Sequence, residues 1–292
     1  MQGWSRKSLW VDLSSGKVEV EALDEALLKA YLGGRGLNVR LLFDLVNHAT
    51  DPLGPDNALI VGTGPLTGTF VPATGRHNIT AKSPATGILG DSNSSGFWAA
   101  EMKYAGYDQI VVRGASERPV YLFIDDERVE IRDASPLWGK NTWETDALIK
   151  RELKDPTIQV ASIGQAGENL VKFAGVMNNL ARAAGRTGMG AVMGSKKLKA
   201  VVVRGDQKPP LADAERAREL RRHYARITGM GMHDVFTKYG TSGITADSAM
   251  SGDSPVKNWA GAGPVDFPTA KKISDDAVIA EQERKYFCWQ CT

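Results

Sequence analysis

One pattern occurs twice in this sequence and constrains the fold more than any other feature. A segment opening on "IVGTG" at Ile60 passes through "SNSSGFWAAEMKYAG" and closes on "IVVRG" (110–114). A second opens on "ASIGQAG" at Ala161, passes through "NNLARAAGRTGMG" and closes on "VVVRG" (201–205). Each half reads as strand, glycine loop, strand, polar Asn-Gly loop, helix and strand. Two copies point to a pseudo-symmetric sheet domain whose equivalent loops face one site. The competing reading is that "VVxRG" is a common strand ending that recurs by chance.

The flanking segments complete an α+β pattern. "KSLWVDL" (7–13) and "KVEVE" (17–21) alternate as strands about a turn at Ser14–Gly16, and "DEALLKAYLG" (24–33) has the acidic start and glycine stop of a helix. Between the halves, "PVYLFID" and "RVEIRD" (119–133) read as strands, and Asn141 with Glu144 forms a capping-box start for a helix over "NTWETDALIKREL". Pro209 and Pro210 mark the expected boundary between a domain over 1–209 and the start of a helical domain over 210–292. That second part opens on a charged amphipathic helix (212–228), continues through glycine-rich loops and carries a last helix around Asp275 to Lys285.

Composition removes several function classes. The 36 basic and 34 acidic residues balance to +2, and the basic ones are scattered apart from "GSKKLK" (194–199), so no face is built for nucleic acid. The start lacks a secretory apolar run and no stretch approaches ~18 apolar residues, so neither export nor a membrane span is expected and the reading is cytoplasmic.

Four polar glycine loops could carry chemistry: "TGPLTGT", "TGRHN", "DSNSSG" and "ARAAGRTGMG". Glycine brings backbone N–H groups close to an anion. Arg76, Arg182 and Arg186 lie in these loops, and guanidinium groups suit phosphates and planar, hydrogen-bond-rich heterocycles. None matches a P-loop or a dinucleotide fingerprint, so ordinary turns with solvated arginines remain open. The four histidines, His48, His77, His223 and His233, show no ligand spacing and read as surface or capping residues; the seven Trp read as packing. The only cysteines, Cys288 and Cys291 in "CWQC", could be half of a zinc or iron–sulfur site, a redox pair or an incidental spacing.

The succession "YLGGRGL" (31–37), "GTGPLTGT", "TGR" (74–76), "SNSSG", "SPLWGK" (135–140), "ASIGQAGE", "RAAGRTGMGAVMGSKKLKAV" (182–201), "PVKNW" (255–259) and "CWQC" resembles the aldehyde ferredoxin oxidoreductase family of tungsten enzymes, from about residue 4 onward. The resemblance implies a base domain over 1–209, made of a pair of twisted sheets under a tungsten (or molybdenum) centre with two pterins. It implies that Arg76 contacts a pterin and lies between it and a 4Fe-4S cluster, and that Asn93, Ser95, Arg182, Ala183, Gly185 and Arg186 line the pterins and their phosphates. Backbone oxygens of Asn93 and Ala183 would hold a magnesium ion bridging those phosphates. Ser95 departs from the family pattern, which often has a second glycine there. Cys288 and Cys291 would supply half of the cluster ligands, the chain would be the amino-terminal portion of a longer protein, and no catalytic residue would lie in it. The implied activity is oxidation of an aldehyde to a carboxylic acid, with electrons passing to ferredoxin or a partner subunit in a possible homo- or hetero-oligomer. Reduction of activated aromatic rings and a non-catalytic pterin-binding or assembly subunit are the alternatives.

Overall fold

The structure, a computed structural model, describes residues 2–227 and 232–291. It folds as two compact units, one running to Ala214 and including Cys288–Cys291, the other Glu215–Phe287.

The first unit is built on two six-stranded mixed sheets. The first contains β1 (Lys7–Asp12), β2 (Lys17–Ala22), β3 (Leu59–Thr63), β4 (His77–Lys82), β5 (Leu89–Ser94) and β6 (Gln109–Arg113), in the order β2-β1-β6-β3-β4-β5. The second contains β7 (Val120–Asp125), β8 (Arg128–Asp133), β9 (Gln159–Ser162), β10 (Val176–Asn178), β11 (Arg182–Ala184) and β12 (Leu198–Arg204), in the order β11-β10-β9-β12-β7-β8. Replacing each strand number in the first order by that number plus six, read backward, reproduces the second. The pairing senses agree too: β1 runs parallel to β6 as β7 does to β12, and the remaining pairs are antiparallel. The duplication therefore starts at the hairpins and is longer than the lettered echo, which begins only at Ile60.

Strand alternation explains how the sheets stack. Leu9 and Val11 of β1, Ile110 and Val112 of β6, Leu122 and Ile124 of β7, and Val201 and Val203 of β12 meet in one apolar core. The intervening residues face outward: Trp10 and Val111 pack with Leu42 on one side, and Tyr121, Phe123, Ala200 and Val202 pack with Ile149 on the other. Burial at period two is what a sheet covered on both faces requires. Trp98, from a helix over Trp98–Tyr104, sits in the shared core and donates its indole N–H to Val201 O of the second sheet at 3.0 Å.

Local signals fix the helices. Over Thr142–Leu153, Asn141 Oδ1 accepts from Glu144 N at 2.9 Å and Glu144 Oε2 from Asn141 N at 3.0 Å, the reciprocal cap expected there. A helix over Gly34–Leu45, which we label α2 after α1 (Glu25–Tyr31), is not expected from its glycine-rich opening. Tertiary contacts override propensity at that opening. A Cβ on Gly36 would sit 2.4 Å from Tyr31 O. The buried Asn38 amide donates to Ile60 O, Asn78 O and Thr80 Oγ1, which seats α2 on the sheet.

Other expectations are corrected. "DSNSSG" and "ARAAGRTGMG" are not wholly loops: β5 and β11 run through them, because small polar side chains fit edge strands whose faces bond to neighbouring groups. His77 is not a surface residue but is fully enclosed. Two of the three lysines in the basic run, Lys196 and Lys199, are also buried, Lys196 donating to Pro55 O and Gly114 O. In the second unit helices cover Ala214–Ile227, Met232–Tyr239 and Thr245–Ser251, and the last one stops at Ala280, short of Lys285. Part of the glycine-rich stretch, 228–231, lies outside the described residues. Among the described residues no helix is long and apolar enough to cross a membrane.

Candidate functional site

β5 and β11 are the edge strands of their respective sheets, and they lie against each other. Cross-sheet hydrogen bonds fix the junction. Ser94 Oγ donates to Asn178 Oδ1 at 2.7 Å, Asn178 Nδ2 to Ser95 O at 2.7 Å, and Arg186 N to Ser92 Oγ at 3.1 Å. Asn179 Oδ1 accepts from Phe97 N at 2.8 Å and Trp98 N at 3.3 Å, opening the helix that follows. Gly96, at φ +105°, is required here, since a Cβ would lie 2.3 Å from Asn179 Oδ1.

A cleft of about 510 Å³ opens at this junction, lined by Arg35, Arg76, Asp91, Ser92, Asn93, Ala183, Gly185 and Arg186. Of the seven residues singled out in the sequence for cofactor contact, Arg76, Asn93, Ala183, Gly185 and Arg186 thus share one cavity. Ser95 and Arg182 are not in its lining; the Ser95 hydroxyl donates to Gly75 O at 3.3 Å, so it is spent on the protein. Arg35 and Asp91 join the five in the cavity, although no motif in the sequence marks either as a site residue. Their signal is alternation: Asp91 and Asn93 share one face of β5, and Asn78 stands directly opposite Asn93 on β4.

These residues form one hydrogen-bonded chain. Arg76 donates to Asn93 Oδ1, Asn93 Nδ2 to Asn78 Oδ1 at 3.3 Å, Asn78 Nδ2 to Asp91 Oδ1 at 2.6 Å, and Arg35 Nε to Asp91 Oδ2 at 2.7 Å. Two guanidinium groups are thereby held through a shared set of amides. Three arginines against one carboxylate leave the cleft positive, as an anion requires. Gly185 adds room: a Cβ there would meet only Ala183 Cβ, at 3.7 Å, so a ligand could approach its backbone. Next in sequence to Arg76, the His77 ring lies 4.8 Å from that of Trp98, and Nδ1 has no hydrogen-bond partner among the described residues. Desolvation pushes its pKa down to about 3, so the imidazole is neutral at physiological pH.

The cysteine pair belongs to the same unit. Cys291 N donates to Cys288 O at 3.1 Å in a turn, neither thiol forms a disulfide, and Cys288 is half-buried while Cys291 is exposed. Between them Trp289 donates its backbone N–H to Gly96 O at 3.0 Å and its indole N–H to Thr69 O at 2.8 Å, while Ala73 N donates to Gln290 O at 2.8 Å. The turn is thus attached to the segment that ends in Arg76. Among the described residues no group of three His, Cys, Asp or Glu side chains gathers as a metal site.

The family model for the aldehyde ferredoxin oxidoreductase N-terminal domain matches residues 8–205, the span of the two sheets. The chain belongs to the aldehyde ferredoxin oxidoreductase family. Tungsten-containing aldehyde ferredoxin oxidoreductases of Pyrococcus furiosus and Thermococcus kodakarensis are 45% and 48% identical to it, over 99% and 88% of this chain and 47% and 42% of theirs. The WOR-like subunit of the Pyrococcus furiosus aliphatic sulfonate oxidoreductase is 38% identical over 89% of this chain and 44% of its own. The chain spans about half the length of the curated relatives it matches. Among solved structures, the active-site complex BamBC of benzoyl coenzyme A reductase, in complex with 1,5-dienoyl-CoA, superposes with TM-score 0.83 and 34% identity, over 100% of this chain and 46% of that one. Members of the family are oxidoreductases, and two mixed sheets with helices are the fold that the resemblance implied.

Proposed function

We propose that this chain forms the floor of an oxidoreductase active site, gripping the phosphates and pterins of a tungsten (or molybdenum) bis-pterin cofactor in the cleft between β5 and β11. The supporting observation is convergence: α2, the segment before β4 and the segment after β11 bring three arginines and an open glycine to one cavity beside the edge strands β5 and β11 of two topologically duplicated sheets. A floor built where two sheets of duplicated topology meet suits a ligand made of two like halves. Arg76 and Arg186 bind phosphate oxygens, each such charge-assisted contact contributing on the order of 1.5–3 kcal/mol. Arg35, neutralised by Asp91, presents hydrogen bonds with less net charge. Backbone carbonyls of Asn93 and Ala183 are oxygen donors of the kind magnesium takes and would hold such an ion, which would offset phosphate charge. Ser95 and Arg182 act from outside the cleft, Ser95 by fixing Gly75 next to Arg76.

The cofactor, when bound, supplies two-electron oxidation of an aldehyde to a carboxylic acid, the added oxygen coming from water. Cys288 and Cys291 would hold one side of a 4Fe-4S cluster, which would supply electron transfer to ferredoxin or a partner subunit. The likeness to the benzoyl coenzyme A reductase complex favours a second reading, reduction of activated aromatic rings on the same floor.

The test is anaerobic assay of the protein expressed from its full reading frame with tungstate present. Aldehyde-dependent reduction of ferredoxin or a viologen dye is expected. Turnover of an aryl-CoA thioester with no aldehyde activity would favour the second reading. A protein with metal and pterin but neither activity would leave a binding or assembly role.

A further inference from the structure

Trp289 is neither a thiolate nor part of the cleft, yet the sheet unit engages both of its N–H groups and its ring. The backbone N–H and indole N–H are given to loop carbonyls, Gly96 O and Thr69 O, and the neighbouring Gln290 O takes the Ala73 amide. The ring stands edge-on to Phe97, with centroids 6.3 Å apart at 89°, and to Tyr104, at 5.8 Å and 86°. Tyr104 in turn donates its hydroxyl to Gly68 O at 2.8 Å. Gly75 closes the arrangement: a Cβ on it would lie 2.7 Å from Trp289 Cβ and 3.1 Å from Trp289 O. The residue after Gly75 is Arg76, which reaches into the cleft.

We propose that Trp289 is a positioning residue: it clamps the Cys288–Cys291 turn to the 68–76 loop, so that the thiols and the Arg76 guanidinium are held in one fixed relation. Side chains that orient ligands matter nearly as much as the ligands, because a thiolate held loosely spends binding energy on ordering itself. The clamp is bipartite. The indole N–H sets the height of the turn over Thr69, and the ring fills the space that Gly75 leaves. The cluster side of this inference rests on the proposed function; the clamp does not, and the two fail separately.

The test compares Trp289→Ala, Trp289→Phe and Gly75→Ala with the parent protein, each stripped of metal by a chelator and labelled with a disulfide reagent, thiol by thiol. Labelling through local opening tracks the opening equilibrium, so Trp289→Ala should label Cys288 about tenfold faster or more. Trp289→Phe, which keeps the ring and loses the N–H, should fall between, and Gly75→Ala should also accelerate labelling. Hydrogen exchange at the Ala73 amide should follow the same order. Equal rates and equal exchange in all four proteins would overturn the clamp. Iron-loaded protein adds a readout that mere stability would not move: a midpoint potential displaced in Trp289→Phe at equal iron content supports positioning, and an identical potential contradicts it. Should the parent bind no iron even with Cys288 and Cys291 intact, the cluster reading falls while the labelling rates still decide the clamp.

Discussion

Asn78 and Asn93 face one another across the β4–β5 ladder, and their amides join Arg76 to Arg35 through Asp91. Neither arginine can be treated singly, because each is oriented by the same relay. Asn78 is buried and does not line the cleft. Asn78→Ala should therefore destabilise the fold by about 1–3 kcal/mol, the cost of leaving buried partners unsatisfied. It should also weaken binding of pyrophosphate, used as a probe of the cleft. Urea denaturation and calorimetric titration check both effects; unchanged affinity would show that the relay does not orient the arginines.

Asp91 is the one carboxylate among three guanidinium groups in the cleft lining. Asp91→Asn keeps an acceptor for Arg35 and raises the local charge by one. Pyrophosphate should then bind more tightly, and its affinity should fall more steeply with salt. Titrations at low and physiological ionic strength give the comparison, and weaker binding in the variant would mean that Asp91 serves the ligand directly.

Burial of His77 makes a pH prediction with a definite sign. The unfolded imidazole takes up a proton below about pH 6.5, whereas the folded one resists down to about pH 3. The unfolded state therefore binds more protons across that window, and this contribution is complete above pH 6.5 and lost as pH falls through it. Each pH unit within it is worth about 1.4 kcal/mol. Between pH 7.5 and pH 5 the parent should lose about 2 kcal/mol more than His77→Phe, in which nothing titrates at that position. Equal losses by denaturant titration would show that the ring is solvated.

Ligand binding should be visible as folding energy, because the cleft is shared between two sheets. At a hundredfold excess over Kd a ligand adds about 2.7 kcal/mol. Cofactor-loaded protein should melt higher than cofactor-free protein and protect the segments at 62–76 and 182–190 from protease. Equal cleavage in the two states would place the ligand elsewhere.

Much of this was legible in the sequence, for identifiable reasons. The two "VVxRG" ends sit on β6 and β12, buried strands whose apolar letters are dictated by packing on both faces. The hairpins β1–β2 and β7–β8 are equally duplicated but share only period-two alternation, so their letters do not match. The five cleft residues came from the resemblance and from glycine–arginine loops. Arg35 and Asp91 did not, because each looks like a solvated charge until α2 and β5 are placed. β5 itself was masked by Asn, Ser and Gly, which signal loops locally. Here Ser92 and Ser94 instead bond to Arg186 and Asn178 from the second sheet. His77 misled for a similar reason: nothing in its neighbours' letters shows that Trp98 covers it.

The central claim is that the Arg76–Arg186 floor retains the cofactor. It is tested most directly by tungsten, molybdenum and pterin content of protein made from the full reading frame, comparing the parent with Arg76→Ala and Arg186→Ala after gel filtration. The account predicts metal and two pterins per chain in the parent and a several-fold loss of both in each variant, with secondary structure retained. Full metal and pterin content in both variants would contradict it.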